Sequence, residues 1–549
     1  MKGNCSRALK IAAASASLVA VLVTSACGQS QASNASSNTP VEGGTLRIAQ
    51  TAEPYSCIDP FQTGWAPTRT VERNFAESLL DQDPKTGELK PWLAKDYTAS
   101  QDGKTYTFHL KTGITFSDGE PFNADAVVKN FEDHLNPSHT VTTGNQFITG
   151  LQSVTKVDGS TVEFHLSEVN SSFLQGLAMT SLAILSPKYL ESTDFQTRCS
   201  TGKPVGTGPY VLEKFDTRTK TVLTKRKGYN SPSPFANHKG DAYLDKIEIN
   251  YVPEKSVRIG SLNGGQIDLI WPDNDSSFDE NDVAQIKQGG NTIDSRSVPG
   301  TGYSLYPNVR YGGPLSDPKV LEAFSLGIDR EAYAHTVLRS DYPVTQGVID
   351  KTTPGYKANP AAVKYDLKAA AKLLDQAGWK KKDDGYRYKD GKKLTLHFIT
   401  YTKDTNLELI QDELKQIGFD FQIELTTSAD VASRAASGDY DLAKITFTRA
   451  DPIAMNAFNS LTGQWAATAK NDKTEAQAAE LQALFDKAIQ STSDSDKASA
   501  YQAVQKYIED NRIVVPIFER LQDTAFSSKV HGLRFTADSF GDFYGIWLG

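Results

Sequence analysis

Cysteine is scarce in this 549-residue chain: there are four, at positions 5, 27, 57 and 199, and none forms a CxxC pair. That spacing excludes a clustered-cysteine metal site, and the length excludes a small scaffold held together by staples. A basic block is also missing. Lys and Arg total 58 against 66 Asp and Glu, a formal charge of -8. Residues 1–26 hold Lys2, Arg7 and Lys10 and no acid, so the remainder stands at 55 − 66 = -11. An acidic body without a basic stripe is a mismatch for a phosphate backbone, which excludes DNA or RNA as the main partner. Gly 40 and Pro 24 are near average usage, against a collagen-like or wholly disordered chain.

Catalytic signatures are absent as well. There is no HExxH, no G-x-S-x-G elbow and no P-loop Gly-x4-Gly-Lys. His134 and His139 are five apart and do not share a helix face as zinc ligands at i, i+4 would. Gly206-Thr207-Gly208 lacks the third glycine of a dinucleotide fingerprint and reads as a tight turn before a strand at Tyr210 to Lys214. The carboxylates Asp273, Asp275, Asp279, Glu280 and Asp282 read as a solvated acidic loop. No metal site, cofactor or catalytic residue is expected.

Only one long apolar run is present, Ile11 to Val23, behind the basic start and ahead of Thr24-Ser25-Ala26-Cys27. It is short for a bilayer and has the layout of an export signal. Small residues directly before Cys27 match a lipoprotein processing site, with Cys27 as the lipidated residue. Residues 1–26 are then the signal and 27–42 a small, polar tether. The body is expected outside the cytoplasmic membrane, held to its outer face by the lipid alone. In that oxidising compartment Cys57 and Cys199 are left as one disulfide; two unpaired buried thiols are the alternative.

Helix and strand patterns alternate through the rest, giving an α/β or α+β body with several lobes. Val71, Phe75 and Leu79 predict one helix face, Val320, Phe324 and Ile328 another behind the Asp317-Pro318 start, and Phe419 to Leu425 alternates as a strand. Asp102-Gly103, Asp158-Gly159 and Asp390-Gly391 predict hairpin turns. Aromatic residues at segment ends, Trp65, Trp271, Tyr303, Tyr306, Phe447 and Trp465, are candidate ligand contacts, since flat rings sandwich a solute while offering few reactive groups. Core packing accounts for any one of them equally well.

Seven stretches in order carry a family resemblance: CIDP (57–60), the long run from Leu93 to Glu132 (LAKDYTASQDGKTYTFHLKTGITFSDGEPFNADAVVKNFE), PVGTGPY (204–210), LNGGQIDLI (262–270), DPKVLEAFSLGIDREA (317–332), AAAKLLDQAGW (369–379) and GDYDLAKITF (438–447). Together they resemble the extracellular solute-binding proteins of family 5, the peptide- and nickel-type receptors of ABC importers. The resemblance implies a large type II periplasmic-binding-protein fold, two-lobed, with an extra inserted domain. Lobe I would comprise 43–80, 201–297 and 516–549, the insertion 81–200 and lobe II 298–515. The Cys57–Cys199 disulfide would staple the insertion to lobe I. Crossings at Val298-Pro299-Gly300 and Val514-Val515-Pro516 would be the hinge.

The implied function is a monomeric, non-enzymatic receptor that closes on a small solute, foremost an oligopeptide or amino-acid-derived compound. It would deliver that solute to an ABC permease and its ATPase. In peptide-binding relatives an Asp three residues after a Trp meets the peptide ammonium. Here Phe447 takes the ring position and Ala450 follows at that spacing, with Asp451 one residue on. Arg449 in the same loop either meets a carboxylate or another anion, or stands exposed. A secreted glycan or peptide hydrolase and a ligand-sensing receptor without transport are the competing readings.

Overall fold

In the computed structural model, residues 39–51, 57–139, 143–272, 278–309, 312–401, 407–459 and 472–549 are described. Residues 40–549 form one compact unit. Its frame is α/β, built on three main sheets.

The first sheet has seven strands. Thr45–Gln50 runs parallel to Lys246–Tyr251 on one side and to Leu269–Ile270 on the other. Tyr210–Asp216 and Lys220–Lys225 extend it at one edge, while Leu521–Phe526 and Thr292–Ser297 complete the other. Leu46, Ile48, Ile247, Ile249, Leu269 and Trp271 form the buried side of this layer with Val71 and Phe75. Ala49, Ile270 and Ala525 point to the opposite face, under Ile259, Leu262 and Ile286. This period-2 split between two apolar layers is what a central strand covered on both sides produces.

The second sheet has five strands in the order Asp420–Leu425, Thr395–Thr400, Leu442–Ile445, Tyr303–Pro307 and Val515–Phe518. Helix Pro318–Leu326 packs on it, with Asp317 capping its N-terminus by accepting from the Lys319 N–H. Val515–Phe518 pairs with Tyr303–Pro307, so the chain leaves this sheet at Glu519-Arg520 rather than at 514–516. The third sheet has four antiparallel strands, Ala94–Ala99, Thr105–Leu110, Thr161–Leu166 and Leu151–Asp158, with helix Ala124–Leu135 beside them. Its core is continuous with the helices Asp472–Ile489 and Asp494–Asp510 through Leu481, Phe485, Tyr501 and Val504.

All three Asp-Gly turns join hairpin strands. Only Asp390-Gly391 has positive φ at both residues, 49° and 76°, the geometry of a type I′ turn. One predicted helix is shorter than its apolar spacing implied. It spans Ala66–Arg73, because Asn74 Nδ2 turns back to the Thr70 carbonyl and also reaches the Gly541 carbonyl. Phe75 and Leu79 are buried beyond its end. The Gly206-Thr207-Gly208 turn lies against that end: a Cβ at Gly206 would fall 2.1 Å from the Phe75 carbonyl oxygen. These glycines let two backbones touch.

Cys57 and Cys199 form a disulfide across 142 residues. Among the described residues no helix is long and apolar enough to cross a membrane.

Candidate functional site: a buried arginine cluster at the seam of two sheets

Two chain segments pass between the five- and seven-stranded sheets side by side. The Val298 N–H donates to the Arg520 carbonyl, directly after Ser297 pairs with Leu521. A third segment, 447–450, closes over the first. Thr301 N–H donates to the Phe447 carbonyl, Phe447 N–H to Thr301 Oγ1, and Arg449 N–H to the Pro299 carbonyl. The approach is close enough to demand glycine at 300, which has φ 110°. A Cβ there would lie 2.1 Å from the Phe447 carbonyl oxygen.

Three arginines converge on this seam. Arg69 comes from helix Ala66–Arg73 on the seven-stranded half, Arg449 from the loop leaving the five-stranded half, and Arg520 from the crossing itself. They are 1 %, 4 % and 1 % exposed. Arg449 Nη1 donates to the Thr448 carbonyl and Arg520 Nη2 to Thr448 Oγ1. The Arg69 guanidinium lies 4.9 Å from the Phe540 ring centre, a cation–π contact. Its Nε and Nη2, and Nε of Arg449, have no hydrogen-bond partner. Burial holds the Arg449 guanidinium down to about 9, helped by the charges of Arg69 and Arg520 and opposed by Asp538. Burial lowers Arg69 too, against Asp538 and Glu72. Charged groups taken out of water without full pairing are costly. Such perturbed groups cluster at functional sites.

Acids frame the cluster. Asp538 Oδ1 accepts from the Ala450 N–H. Beyond Arg520 lie Asp350, whose Oδ1 accepts from Thr352, and Glu519, pushed up to about 7 by burial and by Asp350, with Lys351 opposing. A cavity beside Asp538, lined in part by Arg73, Asp81 and Gln175, holds only about 10 Å³. The three arginine side chains themselves are buried from solvent.

Of the candidates singled out from sequence, Arg449 is brought into this cluster, and it is buried rather than exposed. Phe447 is half-buried in the same loop, and Trp65 is half-buried at the start of the Arg69 helix. The remaining aromatic candidates are not gathered around one cleft. Trp271 packs between Phe535 and Phe543 in the core of the seven-stranded half. Tyr303 stacks on Phe518 under the five-stranded sheet, and Tyr306 sits in the core shared with the C-terminal helices. Asp451 is engaged on both oxygens. Oδ1 accepts from Ser172 Oγ and the Ile453 N–H, and Oδ2 from Lys497 Nζ at 2.7 Å. It fastens the four-stranded part to the five-stranded half, and its Oδ2 already meets the Lys497 ammonium. Trp465 and Cys27 lie outside the described residues. Arg69, Arg520 and Asp538 had no sequence signal, since nothing in their spacing distinguishes them from surface charges. Among the described residues no group of His, Cys, Asp or Glu is placed to hold a metal.

The family profile "Bacterial extracellular solute-binding proteins, family 5 Middle" matches residues 88–469. The chain is 24% identical to heme-binding protein A of Haemophilus influenzae over 98% of this chain and 99% of that one. It is 28% identical to the dipeptide-binding protein of Escherichia coli over 68% and 70% of the two. Among solved structures it resembles NikA from Brucella suis in complex with Fe(III)-EDTA, at TM-score 0.78 and 21% identity, covering 92% of this chain and all of that one. The oligopeptide-binding protein AppA of Bacillus subtilis, in complex with a nonapeptide, gives TM-score 0.78 and 20% identity over 93% and 100%. At such identities the structural matches speak for the fold alone, a mixed α/β periplasmic-binding-protein fold. With the profile spanning most of its length, the chain belongs to the bacterial extracellular solute-binding proteins of family 5, a family of non-enzymatic extracytoplasmic binders.

Proposed function

We propose that this protein captures a solute between the half built on the seven-stranded sheet and the half built on the five-stranded sheet, and hands it to the permease and ATPase of an ABC importer. The single observation that carries this reading is the arginine cluster. Guanidiniums from both halves are sealed at their seam, so a solute reaches them only when the halves part. The two adjacent crossings, 298–300 and 519–520, are the natural hinge for that motion. On this reading lobe I is 43–80, 201–297 and the segment after Phe518, lobe II is 298–518, and 81–200 is an added domain stapled to lobe I by Cys57–Cys199. Relatives are named for heme, dipeptide and glutathione binding, and the last two support a peptide or amino-acid-derived solute. The receptor works as a monomer, tethered outside the cytoplasmic membrane through a lipid on Cys27.

Native mass spectrometry of the purified protein tests capture directly: a co-purifying solute of defined mass is expected. Sustained turnover of peptides or oligosaccharides would overturn the reading in favour of a hydrolase. Deleting the protein should abolish uptake of the captured solute, whereas unchanged uptake would point to sensing without transport. Cys27→Ala should release the protein from membranes.

A further inference from the structure

Arg69 leaves one particular edge of its guanidinium open. Nε and Nη2 lie on the same side of the planar group, and both are buried without a hydrogen-bond partner. That pair is the side-on fork that meets a carboxylate with two parallel N–H···O bonds. Nε of Arg449 is open as well, and Arg449 feels the charge of Arg69. The surrounding charges do not fill the fork. Arg69, Arg449, Arg520 and Lys351 stand near Glu72, Asp350, Asp538 and Glu519, and burial pushes the Glu519 carboxyl up. Asp538 is committed through Oδ1 to the Ala450 N–H. Three guanidiniums therefore meet in a site shielded from water, where an added anion gains most.

We infer that the seam is a carboxylate-binding subsite, with the Nε–Nη2 edge of Arg69 as the fork and Arg449 as the second donor, so that the solute must carry a free carboxylate. This rests on the solute-capture reading above and sharpens it. The subsite also gives closure a driving force. Arg69 and Arg449 belong to opposite halves, and a carboxylate between them replaces repulsion of two guanidiniums by two attractions. Arg69 orients the group and Arg449 completes its neutralisation.

The test uses the full chain incubated with the low-molecular-weight filtrate of a yeast extract, and with the same filtrate after its carboxylates have been amidated with carbodiimide and ammonia. Bound solutes are released and identified by mass. Solutes from the untreated filtrate should all carry a carboxylate, and capture from the amidated filtrate should fall at least about tenfold, the least that losing a charge-assisted bidentate pair costs. Arg69→Lys keeps the charge and loses the fork, and should also reduce capture, with its melting temperature recorded to show that it folds. Equal capture from both filtrates, or bound solutes without a carboxylate, would overturn the subsite while leaving solute capture intact. No enrichment from either filtrate would remove the capture reading and the subsite with it.

Discussion

The Ala450 backbone N–H donates to Asp538 Oδ1 at 2.8 Å, so a carboxylate from the segment after the seven-stranded sheet holds the loop that carries Arg449. Asp538 also opposes the buried charges of Arg69 and Arg449. Asp538→Ala orphans a buried donor and removes that compensation, and is expected to cost about 2 kcal/mol or more. Asp538→Asn keeps an acceptor and should cost less. Urea unfolding of the two variants checks the order, and stabilities equal to the parent for both would refute the contact's importance.

His134 is buried against Phe61 with ring centres 3.9 Å apart, and neither ring nitrogen has a hydrogen-bond partner. Burial depresses its pKa from 6.5 to about 3. The folded state keeps the ring neutral, while the unfolded chain takes up a proton below 6.5. His134 therefore contributes stability that is complete above pH 6.5 and is lost as pH falls toward 3. His134→Phe should flatten the decline of melting temperature over this range. An unaltered slope would show that other groups govern acid lability.

Glu413 has the opposite sign. Burial pushes its carboxyl from 4.5 to about 7, with Asp329 adding to the shift and Arg330 opposing it. Its stabilising contribution is fully present below pH 4.5 and is lost as pH rises through 7. Glu413→Gln keeps an acceptor for the Asp329 N–H. It should melt higher than the parent at pH 8, with the advantage shrinking at pH 5.

The disulfide closes a span of 142 residues. The chain-entropy treatment of such a loop gives about 5 kcal/mol as an upper figure. Replacing Cys57 and Cys199 together by serine should lower the urea midpoint, and peptide mapping without reductant should recover the two cysteine peptides linked. Free alkylatable thiols at both positions would contradict the pairing.

Gly300→Ala combines positive φ with a clash against the Phe447 carbonyl. Gly265→Ala also faces positive φ, 68°, but meets nothing within 4 Å. The Gly265 change should cost about 1 kcal/mol and the Gly300 change clearly more, as thermal melts of both would reveal.

The frame was legible in the sequence where local physics decides it. Asp317-Pro318 announces a helix start, Asp390-Gly391 a turn, and the alternation from Phe419 to Leu425 a strand. The helix at Arg69 was overextended because Val71, Phe75 and Leu79 keep their spacing after the chain has turned at Asn74; burial alone cannot tell helix from the loop behind it. The site was mostly illegible. Aromatic rings at segment ends fit ligand contact and core packing equally well in sequence, and the packing of three separate layers claims Trp271, Tyr303 and Tyr306. Asp451, one residue past the spacing at which relatives place an ammonium partner, pairs with Lys497, which is remote in sequence. Arg69 and Arg520 are separated by most of the chain, and only the folding of both halves reveals that they share a seam.

The seven-stranded sheet carries a constraint on how the protein can be made. Leu521–Phe526 is inserted between Leu269–Ile270 and Thr292–Ser297. A chain emerging N-terminus first can pair only five of the other strands, since Thr292–Ser297 has no partner but Leu521–Phe526, and the rims at Leu269–Ile270 and Thr292–Ser297 expose unpaired N–H and C=O groups. Such rims are templates for strand addition by neighbouring molecules. This half therefore becomes safe only when the stretch around residue 525 has crossed the membrane. Until then the nascent body depends on protection from its surroundings, and a polypeptide cut short of that strand is a ready substrate for proteases.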